Sequence, residues 1–344
     1  CVKNIRLSII LGFVFLGIFF LGCRDTSNTS AETSLASDTT LSLEAREWSK
    51  KIDKSPNVAR YYVQRAEVLL KEKRFDLAIA DYLKSIELEP NDAVIHYQLG
   101  DAYFAADSTT NALAYYKKAE NINPNDVEAV FKHAQFLYFV RQFDNAQIKL
   151  GKLINLDPAH ANGHFYSAML HKEKGDMTQA IYFFNKTIEL LGADYNSSMQ
   201  LGLIYQNQKD WEQAQRYFQQ ALNTDPNSDE VYYAMGLLYQ KRGDNTQAMA
   251  HYQKAIDLNA QHFLAYYNAG NILAEEKKYT AAIDHFEICI RLKEDFAKAY
   301  NRIGQCFQQM GNFEKAMENY TKCLEIDPNF ALAKTGLTQL GNQE

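Results

Sequence analysis

From Ala59 to Phe330 the chain repeats itself every 34 residues, eight times over, with no insertion or deletion. The units run 59–92, 93–126, 127–160, 161–194, 195–228, 229–262, 263–296 and 297–330. A unit this short cannot bury a core by itself, so consecutive units must stack and share one. Numbering positions within a unit as phases 1 to 34 shows what the stack demands. Phase 20 is alanine in all eight units, from Ala78 to Ala316. Phase 8 holds only small residues: Ala66, Gly100, Ala134, Ala168, Gly202, Gly236, Gly270 and Gly304. Phase 24 is large: Tyr82, Tyr116, Leu150, Phe184, Phe218, Tyr252, Phe286 and Tyr320. Small residues at phases 8 and 20 let two helices approach closely, and a bulky phase 24 fills the space beside them. Gly175, Gly243 and Gly311 fall where a first helix needs a left-handed C-terminal cap. Pro90, Pro124, Pro158, Pro226 and Pro328 at phase 32 stop the second helix. Each unit reads as a helical hairpin.

These phases resemble the tetratricopeptide repeat over residues 59–330. Departures are small: Gly192, Ala260 and Glu294 replace the phase-32 proline, leaving those helix ends open, and Leu150 replaces an aromatic residue. The resemblance implies an all-α, right-handed superhelical α-solenoid of eight helix-turn-helix units that binds protein rather than performing catalysis. Residues 43–58 place Trp48 and Pro56 at phases 24 and 32 of a preceding unit, so they read as an N-terminal capping helix. Residues 331–344 read as a C-terminal capping helix and tail, with Lys334, Thr335 and Gln339 on a polar outer side.

Ahead of the repeats lies a different kind of sequence. Lys3 and Arg6 precede sixteen apolar or small residues, Leu7 to Gly22. A bilayer span needs about 20, so residues 1–22 read better as a secretory signal. Phe20-Leu21-Gly22-Cys23 resembles a bacterial lipobox, which implies cleavage before Cys23 and acylation of that residue. Several acyl chains suffice for stable anchoring. The alternative is an uncut signal anchor with Cys23 a bystander. Residues 23–42 are rich in Ser and Thr and read as a flexible tether. Arg24 rather than Asp follows Cys23. By resemblance to the sorting rule of enteric bacteria, this favours the outer membrane of a bacterial envelope.

Net charge is −6, spread along the chain, which argues against nucleic acid as a partner because phosphate binding needs clustered Lys and Arg. The sequence holds no Gly-rich phosphate loop, no GxSxG turn and no HExxH helix, and no cofactor or catalytic residue is expected. His160, His164 and His171 have spacings of four and seven, but His160 falls between units and the other two sit at packing phases, so no metal site is expected. Cys289 and Cys323 share phase 27 one unit apart, too far to bond, whereas Cys306 lies in the helix following Cys289 and is near enough for a disulfide to be an open alternative to buried thiols.

Phases 4, 7, 8 and 11 of the first helix share one side of the helical wheel, and phases 2, 5, 9, 12 and 13 the other. In tetratricopeptide proteins this second stripe lines the concave groove. Here it carries Tyr97, Phe131, Phe165, Met199, Tyr233 and Tyr267 at phase 5. Phase 9 supplies Asp101, Gln135, Met169, Leu203, Leu237 and Asn271, and phase 12 adds Phe104 and Tyr138. Water alone would favour a polar stripe, so these fourteen residues are expected to hold an extended peptide or partner segment, unless neighbouring first helices use them for packing. Relatives that clamp a chaperone's carboxylate tail use paired Lys and Asn here. No Lys stands at phase 5, so that ligand is not expected.

The mature protein should begin at Cys23 and carry the added mass of acyl chains. Intact-mass spectrometry checks this, and a chain retaining Leu7–Gly22 would exclude lipidation.

Overall fold

A computed structural model describes residues 35–341. After a short 3-10 turn at Leu35–Ser37, every regular element among the described residues is an α-helix. Helix α1 is Leu43–Lys54. The first four units pair α2 (Ala59–Lys71) with α3 (Phe75–Leu88), α4 (Ala93–Ala105) with α5 (Thr109–Ile122), α6 (Val127–Phe139) with α7 (Phe143–Leu156), and α8 (Ala161–Glu173) with α9 (Met177–Leu191). The next four pair α10 (Tyr195–Asn207) with α11 (Trp211–Thr224), α12 (Asp229–Arg242) with α13 (Asn245–Leu258), α14 (Phe263–Glu275) with α15 (Tyr279–Leu292), and α16 (Ala297–Gln309) with α17 (Phe313–Ile326). Helix α18 is Ala331–Gly341. The fold is the expected α-solenoid.

The phase pattern translates directly into packing. All eight phase-20 alanines and all eight phase-24 side chains are buried. A Cβ placed on the phase-8 glycines would collide with the phase-24 ring of the same unit: 2.5 Å from Phe218 at Gly202, 2.7 Å from Phe286 at Gly270 and 2.8 Å from Tyr320 at Gly304. The ring therefore lies on bare helix backbone. First helices of consecutive units also touch one another, α4 with α6, α6 with α8, α10 with α12, and α14 with α16, while second helices make no contact of similar extent. Helices that crowd on one side and splay on the other give a curve with the first helices inside.

Turns are as periodic as the core. The residue after each first helix, phase 15, has positive φ in every unit. It is glycine at Gly175, Gly243 and Gly311, with φ of 82°, 87° and 76°. In the other five units Lys73, Asp107, Arg141, Lys209 and Lys277 take φ between 57° and 63°. Sequence identifies only the glycine turns, because nothing in a Lys or Arg announces a left-handed backbone. Polar residues at phase 34 cap the next unit's first helix, as Asp92, Asp126 and Asp194 do through their carboxylates. Where Gly192 replaces proline, α9 runs one residue further than the other second helices before Gly192 turns it at φ 75°.

The N-terminal side departs from expectation. The tether was bounded at residue 42, yet Leu35 and Leu41 pack on the core formed by the first two units, and Leu41 is only 3% exposed. Two leucines in a Ser/Thr-rich stretch suffice to dock its end. Helix α1 is fastened by a buried network that the pattern does not foretell. At phase 7 Arg65 donates to Asp81 at 2.8 and 2.6 Å and to Ser49 Oγ at 2.9 Å. A second buried cluster joins the second and third units. Glu120 accepts from Lys149 and Lys152 and pairs with His133 at 2.7 Å. Burial would raise this carboxyl, but the hydrogen bonds from Lys149, Lys152 and His133 hold it down at about 2.

A left-handed backbone costs a side-chain-bearing residue about 1–2 kcal/mol. Lys209→Gly and Lys277→Gly should raise the urea midpoint, each by up to about 1 kcal/mol in stability, and Gly243→Ala should lower it by about 1 kcal/mol. Equal midpoints for all three variants would contradict the turn geometry.

Candidate functional site

The inner wall is built from the first helices, and the structure brings the expected stripe together along it. Tyr97, Asp101, Phe104, Gln135, Tyr138, Phe165, Met169, Met199, Leu203, Tyr233, Leu237, Tyr267 and Asn271 are all partly exposed. Phe131 differs. It is 6% exposed, belongs to the core of the third unit, and packs on His160 with ring centroids 4.9 Å apart. His160 stands at phase 34, and its ring lies over phase 5. The same contact recurs as Tyr233 on His262 at 4.6 Å and Tyr267 on Phe296 at 5.1 Å, yet both of those tyrosines stay partly exposed.

Neighbouring first helices are tied across the wall by a polar ladder from phase 6 of one unit to phase 9 of the unit before it. Lys132 Nζ lies 2.8 Å from Asp101 Oδ2, and Arg302 Nε donates to Asn271 Oδ1 at 2.6 Å. Gln135 Nε2 runs the other way, donating to Tyr166 Oη at 2.7 Å. Tyrosines at phase 24 reach the wall from beneath. Tyr116 Oη donates to Asp101 at 2.6 Å and Tyr252 Oη to Gln240 Oε1 at 2.7 Å. Packing between first helices thus uses part of the stripe, while its aromatic residues other than Phe131 stay partly exposed. Burial, with nearby carboxylates, pushes the Tyr97 and Tyr138 hydroxyls up to about 12, so they stay protonated donors at neutral pH.

The centre of the aromatic surface was missed by sequence reasoning. Phe139, at phase 13, is 41% exposed. Its ring centroid lies 6.0 Å from Phe104, 5.8 Å from Tyr138 and 5.9 Å from Tyr166. The signal was present: Phe139 is the sole large apolar residue at phase 13, where the other units have Lys71, Ala105, Glu173, Asn207, Lys241, Glu275 and Gln309. Tyr166 at phase 6 extends the same surface.

The other candidate groups are structurally engaged. His164 Nε2 donates to the Pro158 carbonyl at 2.8 Å, as Tyr62 Oη and His96 Nε2 at the same phase 4 do to the carbonyls of Pro56 and Pro90. His160 caps α8 and His171 stacks on Phe183. Among the described residues no three His, Cys, Asp or Glu side chains come together as a metal site. Cys289, Cys306 and Cys323 are free, buried thiols, and burial pushes them up to about 12, 11 and 11. Cys23 and the apolar stretch before it lie outside the described residues. Among the described residues no helix is long and apolar enough to cross a membrane.

Family models described as "Tetratricopeptide repeat" match residues 93–126, 194–261, 233–295 and 297–330, and one described as "TPR repeat" matches 66–107. The solved C-terminal part of a TPR repeat-containing protein from Cytophaga hutchinsonii is similar with a TM-score of 0.58 and 17% identity, over 70% of this chain and 99% of that one. Pseudomonas aeruginosa pilF is similar with a TM-score of 0.53 and 15% identity, over 62% and 97%. A structure of the APC/C hetero-tetramer Cut9-Hcn1 gives 0.52 and 17%, over 85% and 57%. At these identities the likeness is one of fold. No curated protein matches the chain in sequence.

Burial separates wall residues that hold the fold from those free to hold something else. Phe131→Ala should cost about 3–5 kcal/mol in unfolding experiments. Phe139→Ala should cost less, about 1–2 kcal/mol, because 41% of the residue is already exposed. Comparable losses for the two would show that Phe139 is a packing residue.

Proposed function

We propose that this chain, a tetratricopeptide-repeat protein, is a non-catalytic scaffold that holds an extended segment of a protein partner along its inner wall. One observation carries the reading: a stripe that is free to be polar carries partly exposed aromatic and apolar side chains instead, centred on Phe139. Burying one such side chain on a partner contributes about 1.5–3 kcal/mol. Two or three of them, less the cost of ordering an extended chain, give an affinity near the micromolar range. The motif at Cys23 extends the proposal to place. Acyl chains on Cys23 would anchor the protein in a bacterial envelope, on the outer membrane by the Arg24 rule, with the Ser/Thr-rich segment as spacer. A net charge of −6 spread along the chain argues against nucleic acid as the partner.

A second reading has its own observation. On the outer face Ile148 and Tyr182 occupy phase 22 of α7 and α9 and are 68% and 59% exposed. These two side chains favour self-association into a structural component of an envelope complex.

A photo-crosslinking amino acid at Leu203 should capture a partner in cells, while the same probe at Ile148 should not. Light scattering of the purified protein should be independent of concentration. Capture from Ile148 alone, together with concentration-dependent growth in mass, would replace the scaffold reading with self-assembly.

A further inference from the structure

The hydrogen-bonding groups of the inner wall are spent unequally. A cation can only donate, so an amide beside it must turn its oxygen inward and its NH₂ group away. Lys172 Nζ lies 2.6 Å from Gln200 Oε1, and Arg302 Nη1 lies 3.0 Å from Gln305 Oε1. The tyrosine hydroxyls complete the bias. Tyr166 accepts from Gln135, and Tyr233 accepts from Asn268 Nδ2 at 3.1 Å, so each keeps its own O–H hydrogen to give. Burial raises both hydroxyls above their ordinary range, which keeps them protonated. Among these side chains only Gln135 and Asn268 keep an amide oxygen unspent. Charge is least at the middle of the wall, where α10 has no charged residue.

A wall with hydroxyl and amide donors to offer and a platform of rings at Phe104, Tyr138, Phe139 and Tyr166 selects a ligand of matching character. That ligand has free carbonyl oxygens and flat apolar faces. Proline supplies both: it lacks the backbone N–H, and in the polyproline II helix its carbonyls are free while its ring packs on aromatic side chains. We infer that the partner segment held by the inner wall is proline-rich and bound as a polyproline II helix. This rests on the reading of the wall as a partner site and adds the chemistry of the segment.

The test uses a fluorescein-labelled, capped decaproline, about 31 Å long when extended. Its control is a capped (Gly-Ser)₅ peptide, equally uncharged but rich in N–H groups. Decaproline should bind the purified protein with a dissociation constant in the micromolar range, and the control should not bind at ten times that concentration. Phe139→Ala should weaken decaproline about tenfold, and Tyr233→Phe about fivefold through its hydroxyl alone. Ile148→Ala on the outer face should leave binding unchanged. Unfolding midpoints of the variants guard against loss of fold, and Tyr233→Phe keeps the test decisive if Phe139→Ala proves unstable. Equal binding of the two peptides, or indifference to both wall variants, overturns the proline assignment. If decaproline fails while a crosslinker at Leu203 still captures a protein, the proline assignment falls and the groove stands; if both fail, both fall.

Discussion

In the five units with glycine at phase 8, the aromatic ring at phase 24 lies against that bare position of the facing helix, where a larger residue would collide with it. That contact sets the distance between the two helices of a hairpin, and the phase-20 alanine keeps it short. Repeated at an unvarying period, it makes each unit present the same edge to the next. First helices then crowd together and second helices spread, so the curvature of the solenoid follows from where the ring sits. The third unit shows that volume matters more than aromaticity, since Leu150 fills the site above Ala134 and is just as buried.

The stack also determines which side chains are left over. Phases 4, 7, 11, 20, 24 and 27 are consumed between helices, and phase 5 is consumed in the third unit, where Phe131 belongs to the core and packs on His160. What remains inside the curve is a ladder of amides, paired charges and tyrosine hydroxyls, interrupted by the ring platform around Phe139. The ladder fixes these side chains against their neighbours, Asp101 by both of its oxygens. Such a surface is preorganised, because its side chains need not be ordered again when a chain lies along it.

Most of the fold was legible because the repeat states each requirement eight times. Small phase 8, alanine at phase 20 and a bulky phase 24 gave the helical hairpins and their stacking into an all-α solenoid. What was not legible occurs once or lacks a residue signature. Lys73 and Arg141 adopt left-handed turns that only glycine announces. Leu35 and Leu41 dock a segment whose average composition reads as tether. Arg65, Asp81 and Ser49 form a network that depends on three positions meeting in space. Along the wall, phase alone could not tell the buried Phe131 from the open Tyr97, nor point to Phe139 on a phase that is otherwise mostly polar.

The central claim is that the inside of the curve, and not the outside, is the surface in use. Hydroxyl-radical footprinting in intact cells, against the purified protein, measures this one ring at a time. Phe139, Tyr138 and Tyr233 should be protected in the native setting and become reactive on purification, while Tyr182 on the outer face reacts equally in both. Protection of Tyr182 with an unchanged inner wall would contradict the account.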